Sequence, residues 1–167
     1  MSTLIASNAV YESNSDVSAW TQKADSPTGR FGATAKVVNG KIYLIGGVIS
    51  GGTTTNTVAE FDPISNSWRT LAPMTDDRAS PFGAEVNGRI FLAGGQATGG
   101  AVRTTTEAYT PPGNEPANVW TTAAAIPGPR HAATVVELNG RVHVIGGFDS
   151  ANHNTHYRYN PDSNDWT

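Results

Sequence analysis

Short apolar runs broken by turn residues fill this chain, and no stretch sustains the 3.6-residue period of a helix. In residues 133–138 and 141–145 two such runs flank Asn139-Gly140, a dipeptide that tolerates the positive φ demanded by a two-residue hairpin turn. The second run is almost wholly apolar, as a strand covered on both faces must be, and it ends at a Gly pair where backbone has to pass close to backbone. A third run carries an aromatic residue and turns at Pro with Asn or Asp, and a fourth carries Trp. The pattern predicts four-stranded antiparallel units and almost no helix.

The unit repeats. NGKIYLIGG (39–47), NGRIFLAGG (87–95) and NGRVHVIGG (139–147) match residue for residue in type. Arg30, Arg78 and Arg130 each lie nine residues before the Asn of their unit, and Trp20, Trp68 and Trp120 lie ten before the Arg. Phe61, Tyr109 and Tyr159 follow the Gly pair in the same phase, and Trp68, Trp120 and Trp166 close each unit. Recurrence of about 50 residues, with Gly-Gly on the second strand and Trp on the fourth, resembles the kelch repeat. The resemblance implies an all-β, kelch-type β-propeller arc: three four-stranded antiparallel blades and an N-terminal half blade, not closed by one chain.

On that plan residues 1–21 form the half blade or exchanged strands, and 22–70, 71–122 and 123–167 form blades 1 to 3. The half blade is read from Tyr11 and Trp20, spaced as a third-strand aromatic and a fourth-strand Trp. The resemblance also implies that Trp20, Trp68, Trp120, Phe61, Tyr109 and Tyr159 pack between blades. Propellers have about 4–8 blades, so an arc of three leaves apolar blade faces uncovered. Tyr11 and Trp20 at one end, with Tyr159 and Trp166 at the other, are therefore candidate assembly residues. The cover is expected from the rest of a longer kelch chain, from a second copy, or from head-to-tail stacking.

Composition narrows the function. Eleven Lys and Arg against 14 Asp and Glu give a net charge of −3, with no basic field for nucleic acid. The absence of Cys removes disulfides, thiolate zinc sites and the Tyr-Cys cross-link that copper-dependent galactose oxidase relatives need. No apolar run is long enough to span a bilayer, and the N-terminus lacks a signal-peptide pattern. Scarce Lys with abundant Thr, Ser, Asn and Gly leans toward an extracellular or cell-surface setting over a cytoplasmic one.

Candidate chemistry is sparse. The chain has no Gly-x-Ser-x-Gly elbow, phosphate-cradling Gly-Lys-Ser/Thr or His-Glu-x-x-His, and no cofactor is expected. Kelch resemblance places Arg30, Arg78 and Arg130 on one face of the ring, together with the variable loops after each Gly pair. There they are candidates for ligand contact or for bonding carbonyls of a neighbouring blade. The loops add Asn56, Arg103, Asp149, His153 and His156 as candidate binding-face residues. His153 and His156, near Asp149, read as a solvated polar loop rather than a metal site. The expectation is a non-enzymatic binding or assembly module with a protein partner or self-association. A carbohydrate-binding or carbohydrate-modifying propeller of the lectin or sugar-epimerase kind is the alternative, and a subunit of a head-to-tail polymer is the third.

Overall fold

The computed structural model describes residues 8–11 and 20–167. Strands β1 (Asn8–Tyr11) and β2 (Trp20–Lys23) form a two-stranded sheet. Blade 1 follows as β3 (Thr34–Val38), β4 (Lys41–Ile45), β5 (Val58–Asp62) and β6 (Ser67–Leu71). Blade 2 contains β7 (Phe82–Val86), β8 (Arg89–Ala93), β9 (Thr106–Thr110) and β10 (Val119–Ala123). Blade 3 contains β11 (Thr134–Leu138), β12 (Arg141–Ile145), β13 (His156–Asn160) and β14 (Asp165–Trp166). In every blade, strand order in space equals order in sequence and all pairs are antiparallel. The single helical element among the described residues is a 3-10 turn at Ser50–Gly52.

The predicted hairpins are present. Asn39, Asn87 and Asn139 take φ of 50, 52 and 53°, and their glycines 72, 78 and 72°, the left-handed pair that a tight hairpin needs. The first strands β3, β7 and β11 neighbour one another and are the inner edge of the arc. Main chain also links the blades there: Ser80 N–H donates to Gly32 O at 2.6 Å, and Ala132 N–H to Ser80 O at 3.2 Å. All three residues sit at positive φ, including the non-glycines Ser80 (48°) and Ala132 (54°).

Strand alternation divides the core into two layers between blades. Tyr43, Ile45, Val58 and Met74 pack against Ile90, Leu92 and Tyr109. Phe82, Val86, Phe91 and Ala93 pack against Val142, Val144 and Tyr159. Blade 2 thus sends Ile90 and Leu92 one way and Phe91 and Ala93 the other, which explains why β8 reads as a continuous apolar run.

The register of the half blade pairs Tyr11 with Trp20, as Phe61 pairs with Trp68, Tyr109 with Trp120 and Tyr159 with Trp166. The side chain of Tyr11 lies outside the described residues. Phe61, Tyr109 and Tyr159 are buried, and Trp68, Trp120 and Trp166 are half-buried against them, with ring centroids 4.8–5.1 Å apart. Trp20 corrects the packing expectation, being 67% exposed. Its counterparts lie against the connector from the blade before, and among the described residues no blade precedes Trp20.

Candidate binding face and open blade end

Each fourth strand grips the blade before it through two side chains spaced Asn-x-Trp. Trp68 Nε1 donates to Ala24 O at 2.8 Å, while Asn66 Oδ1 accepts from Ala24 N–H at 3.0 Å. Trp120 and Asn118 hold Ala72 in the same way, at 2.9 and 3.0 Å. Trp166 and Asn164 hold Ala124, at 2.8 and 2.7 Å. The three Asn residues take left-handed φ of 49–56°, and Asn118 and Asn164 also accept the hydroxyls of Tyr109 and Tyr159. The repeated Asn two residues before Trp was visible in the sequence, and it is the signal that the reading above passed over.

The arginines work mainly inside their own blade. Nη1 of Arg30, Arg78 and Arg130 donates at 3.0 Å to the carbonyl of Gly46, Gly94 and Gly146 respectively. The expected bond to a neighbouring blade runs the other way, through main chain. Gly47 N–H donates to Arg78 O and Gly95 N–H to Arg130 O, both at 2.9 Å. The connector doubles back beside its own second strand, as the Phe31–Val48, Ala79–Gln96 and His131–Phe148 bridges show, and so brings each Arg to its own Gly pair. Arg78 and Arg130 are buried, which turns their guanidinium groups toward protein, while Arg30 stays half-buried. Burial holds the Arg78 guanidinium below its ordinary pKa.

Connectors and post-glycine loops share one face, and the loop residues expected there are held by neighbouring protein groups. Asn56 Nδ2 donates to Met74 O at 2.9 Å. Arg103 donates to the Asp77 carboxylate at 2.7 Å and to the Asp77 carbonyl at 3.0 Å. Asp76 links Arg103 to Arg78, which meets Glu107 at 2.6 Å, so blade 2 carries an ionic network to which blade 1 adds the Thr54 hydroxyl on Asp77. On blade 3, backbone N–H groups of Ala151 and then Ser150 bond Asp149 and hold its pKa down to about 2, with His153 at 3.2 Å. His156 lies elsewhere: it leaves this loop for β13, where its Nε2 is 2.9 Å from His143 Nδ1. Among the described residues no group of three or more His, Asp or Glu is placed to hold a metal ion. None of their helices is long and apolar enough to cross a membrane.

The proposed assembly residues Tyr159 and Trp166 face inward. Tyr159 packs against Phe91 of blade 2, and Trp166 faces the same way, because strand parity turns both toward blade 2. The uncovered face of blade 3 is formed by the alternate positions: Val136, Leu138, His143, Ile145, His156 and Arg158. Leu138 is 54% exposed where its blade 2 counterpart Val86 is 3% exposed, and Ile145 is 45% exposed where Ala93 is 4%. The Gly pair shows the same contrast. A Cβ built on Gly46 or Gly94 would come within 2.5 or 2.3 Å of the next blade's Arg carbonyl, whereas one on Gly146 meets nothing nearer than 3.3 Å.

Four-stranded meanders set radially around inner first strands, each clamping the last, define a β-propeller segment. A sequence profile described as the KLHDC2/KLHL20/DRC7 Kelch-repeats domain matches residues 6–167, and the chain belongs to this family of kelch repeats. Kelch domains typically bind other proteins. Among solved structures, one titled "Structure of YjhT" is similar with a TM-score of 0.83 at 18% identity. That match covers 97% of this chain and 58% of the other, so the chain spans little more than half of its structural neighbour. No curated protein matches it in sequence.

Proposed function

We propose that this chain is a non-enzymatic kelch segment acting as a binding and assembly module, with a kelch blade of a second copy covering the open face of blade 3. Residues 1–21, 22–70, 71–122 and 123–167 are its half blade and three blades. The carrying observation is the exposure of Leu138 and Ile145 at positions whose counterparts Val86 and Ala93 are sealed by the next blade. Continuity with the two blade junctions inside the chain supports a kelch blade as the occupant. Gly147 stands where Gly47 and Gly95 donate to the Arg carbonyl of a following blade, and Gly146 leaves room for that carbonyl. The loops at 48–57, 96–105 and 148–155 differ in sequence between blades and supply the recognition face. Light scattering of the full chain and of Leu138→Lys tests the assembly half. Association that weakens at least tenfold in the variant supports it. Association unchanged by the added charge, or a strictly monomeric parent at high concentration, overturns it.

A further inference from the structure

We propose that the His143–His156 pair makes coverage of the blade 3 face dependent on protonation, an inference that rests on the assembly reading above. The two rings lie on adjacent strands near the middle of the open face, with Nδ1 of His143 2.9 Å from Nε2 of His156. Their centroids are 5.1 Å apart. In the other blades these positions hold Tyr43 with Val58 and Phe91 with Thr106, and all four are buried at a blade junction. Histidines thus replace interface residues on the blade 3 face that no described blade covers.

An imidazole–imidazole hydrogen bond needs one ring to accept, so at least one ring must be neutral. Doubly protonated, the pair sets two cations side by side. The basic groups around it add to this. Arg158 is directly across from His143 in the strand register and adds a third positive group. Arg141, on the same side of β12, is engaged by Asp162 at 3.2 Å. The carboxylate on this side is Asp165 of β14, across from Asn160 and holding the Ser163 hydroxyl, while β11 contributes Thr134, Val136 and Leu138, which carry no charge. A covering blade removes this cluster from water, which disfavours the charged rings. Association therefore releases protons and tightens as pH rises through the range where histidine titrates.

The test measures self-association of the full chain by light scattering at pH 7.5 and 5.5, beside the double variant His143→Phe/His156→Thr, which carries the blade 2 residues. The expected result is a parent dissociation constant about tenfold or more weaker at pH 5.5 and a variant constant equal at the two pH values. Parent association equal at both pH values, or a variant with the same pH dependence as the parent, overturns the proton dependence while leaving the assembly reading standing. Association that persists in Leu138→Lys, or is absent at both pH values, overturns the assembly reading and the proton dependence together.

Discussion

Blade 2 and blade 3 share a strand plan, hairpin turns, an Arg on a Gly carbonyl and an Asn-x-Trp clamp, but only blade 2 is covered on both faces. The difference shows in residue choice as well as exposure. Where blade 2 fills the side toward its successor with Ala84, Val86, Phe91, Ala93, Thr106 and Ala108, blade 3 has Val136, Leu138, His143, Ile145, His156 and Arg158. The inner part of that face stays apolar, and the outer part has become basic and titratable. Backbone plan thus belongs to the repeat, while the character of each junction is set by a few side chains on alternate strand positions.

Charge at matched positions should break the comparison most sharply. Val86→Lys is expected to destabilise by about 5 kcal/mol, because an unpaired ammonium would sit in the closed junction. In the dilute, dissociated chain Leu138→Lys should stay within about 0.5 kcal/mol, since the same position on blade 3 is then wet. Urea unfolding of both variants checks this, and equal losses would mean the blade 3 face is already covered.

The Gly pair gives the next test. Gly94→Ala adds a Cβ that would lie 2.3 Å from Arg130 O and 2.5 Å from the Phe82 ring at φ +62°, and should cost about 3–5 kcal/mol. Gly146→Ala carries only the left-handed penalty of about 1–2 kcal/mol, because nothing lies closer than 3.3 Å. Denaturant midpoints read the difference directly. A smaller gap than about 1 kcal/mol would show that the blade 2 junction yields to the added methyl.

Glu60 sharpens the contrast from the polar side. Buried in blade 1, it accepts from Arg69 at 2.8 and 3.0 Å and from the Tyr43 hydroxyl at 2.8 Å, whereas blade 3 has Arg158 at the matching position. Burial pushes the Glu60 carboxyl upward, yet bonds from Arg69 and Tyr43 and the charges of Arg69 and Lys41 outweigh it and hold the group below the ordinary carboxylate value. Glu60→Ala should cost about 2 kcal/mol at neutral pH, mostly by stranding the Tyr43 hydroxyl. A lowered folded value means the ionised form stabilises the fold above the ordinary carboxylate range, and the benefit drains as pH falls through that range and beneath it. Melting of parent and variant across acid pH should therefore converge.

The smallest effect is a gain. Ala132→Gly relieves a left-handed alanine at the inner edge and is expected to stabilise by about 0.5–1 kcal/mol in thermal or urea unfolding. Position 32, already Gly, shows that the site accepts it.

The strands, hairpins and aromatic pairs were legible because each has a local cause: apolar alternation, Asn-Gly at positive φ, and an aromatic opposite Trp. The site was less legible, since its parts meet only through parity and crossover. Tyr159 and Trp166 looked like end residues by chain position, but strand parity turns them to blade 2. His156 looked like a loop residue grouped with His153, yet it is the first residue of β13 and faces His143 from 13 positions away in sequence. Ser80 and Ala132 give no local sign of their left-handed backbone, which is imposed by the hydrogen bonds between inner edges.

The Asn-x-Trp clamp has a consequence for how such chains change length. What it holds is an amide N–H and C=O, groups that every residue except proline offers. Successive repeats therefore recognise each other without matched side chains at that contact, and a whole repeat duplicated or deleted in the gene meets the same grip on either side. Copy number is free to drift at the clamp, and the alternate positions on the blade faces, Val86 or Leu138, Phe91 or His143, are left to record which neighbour each copy acquired.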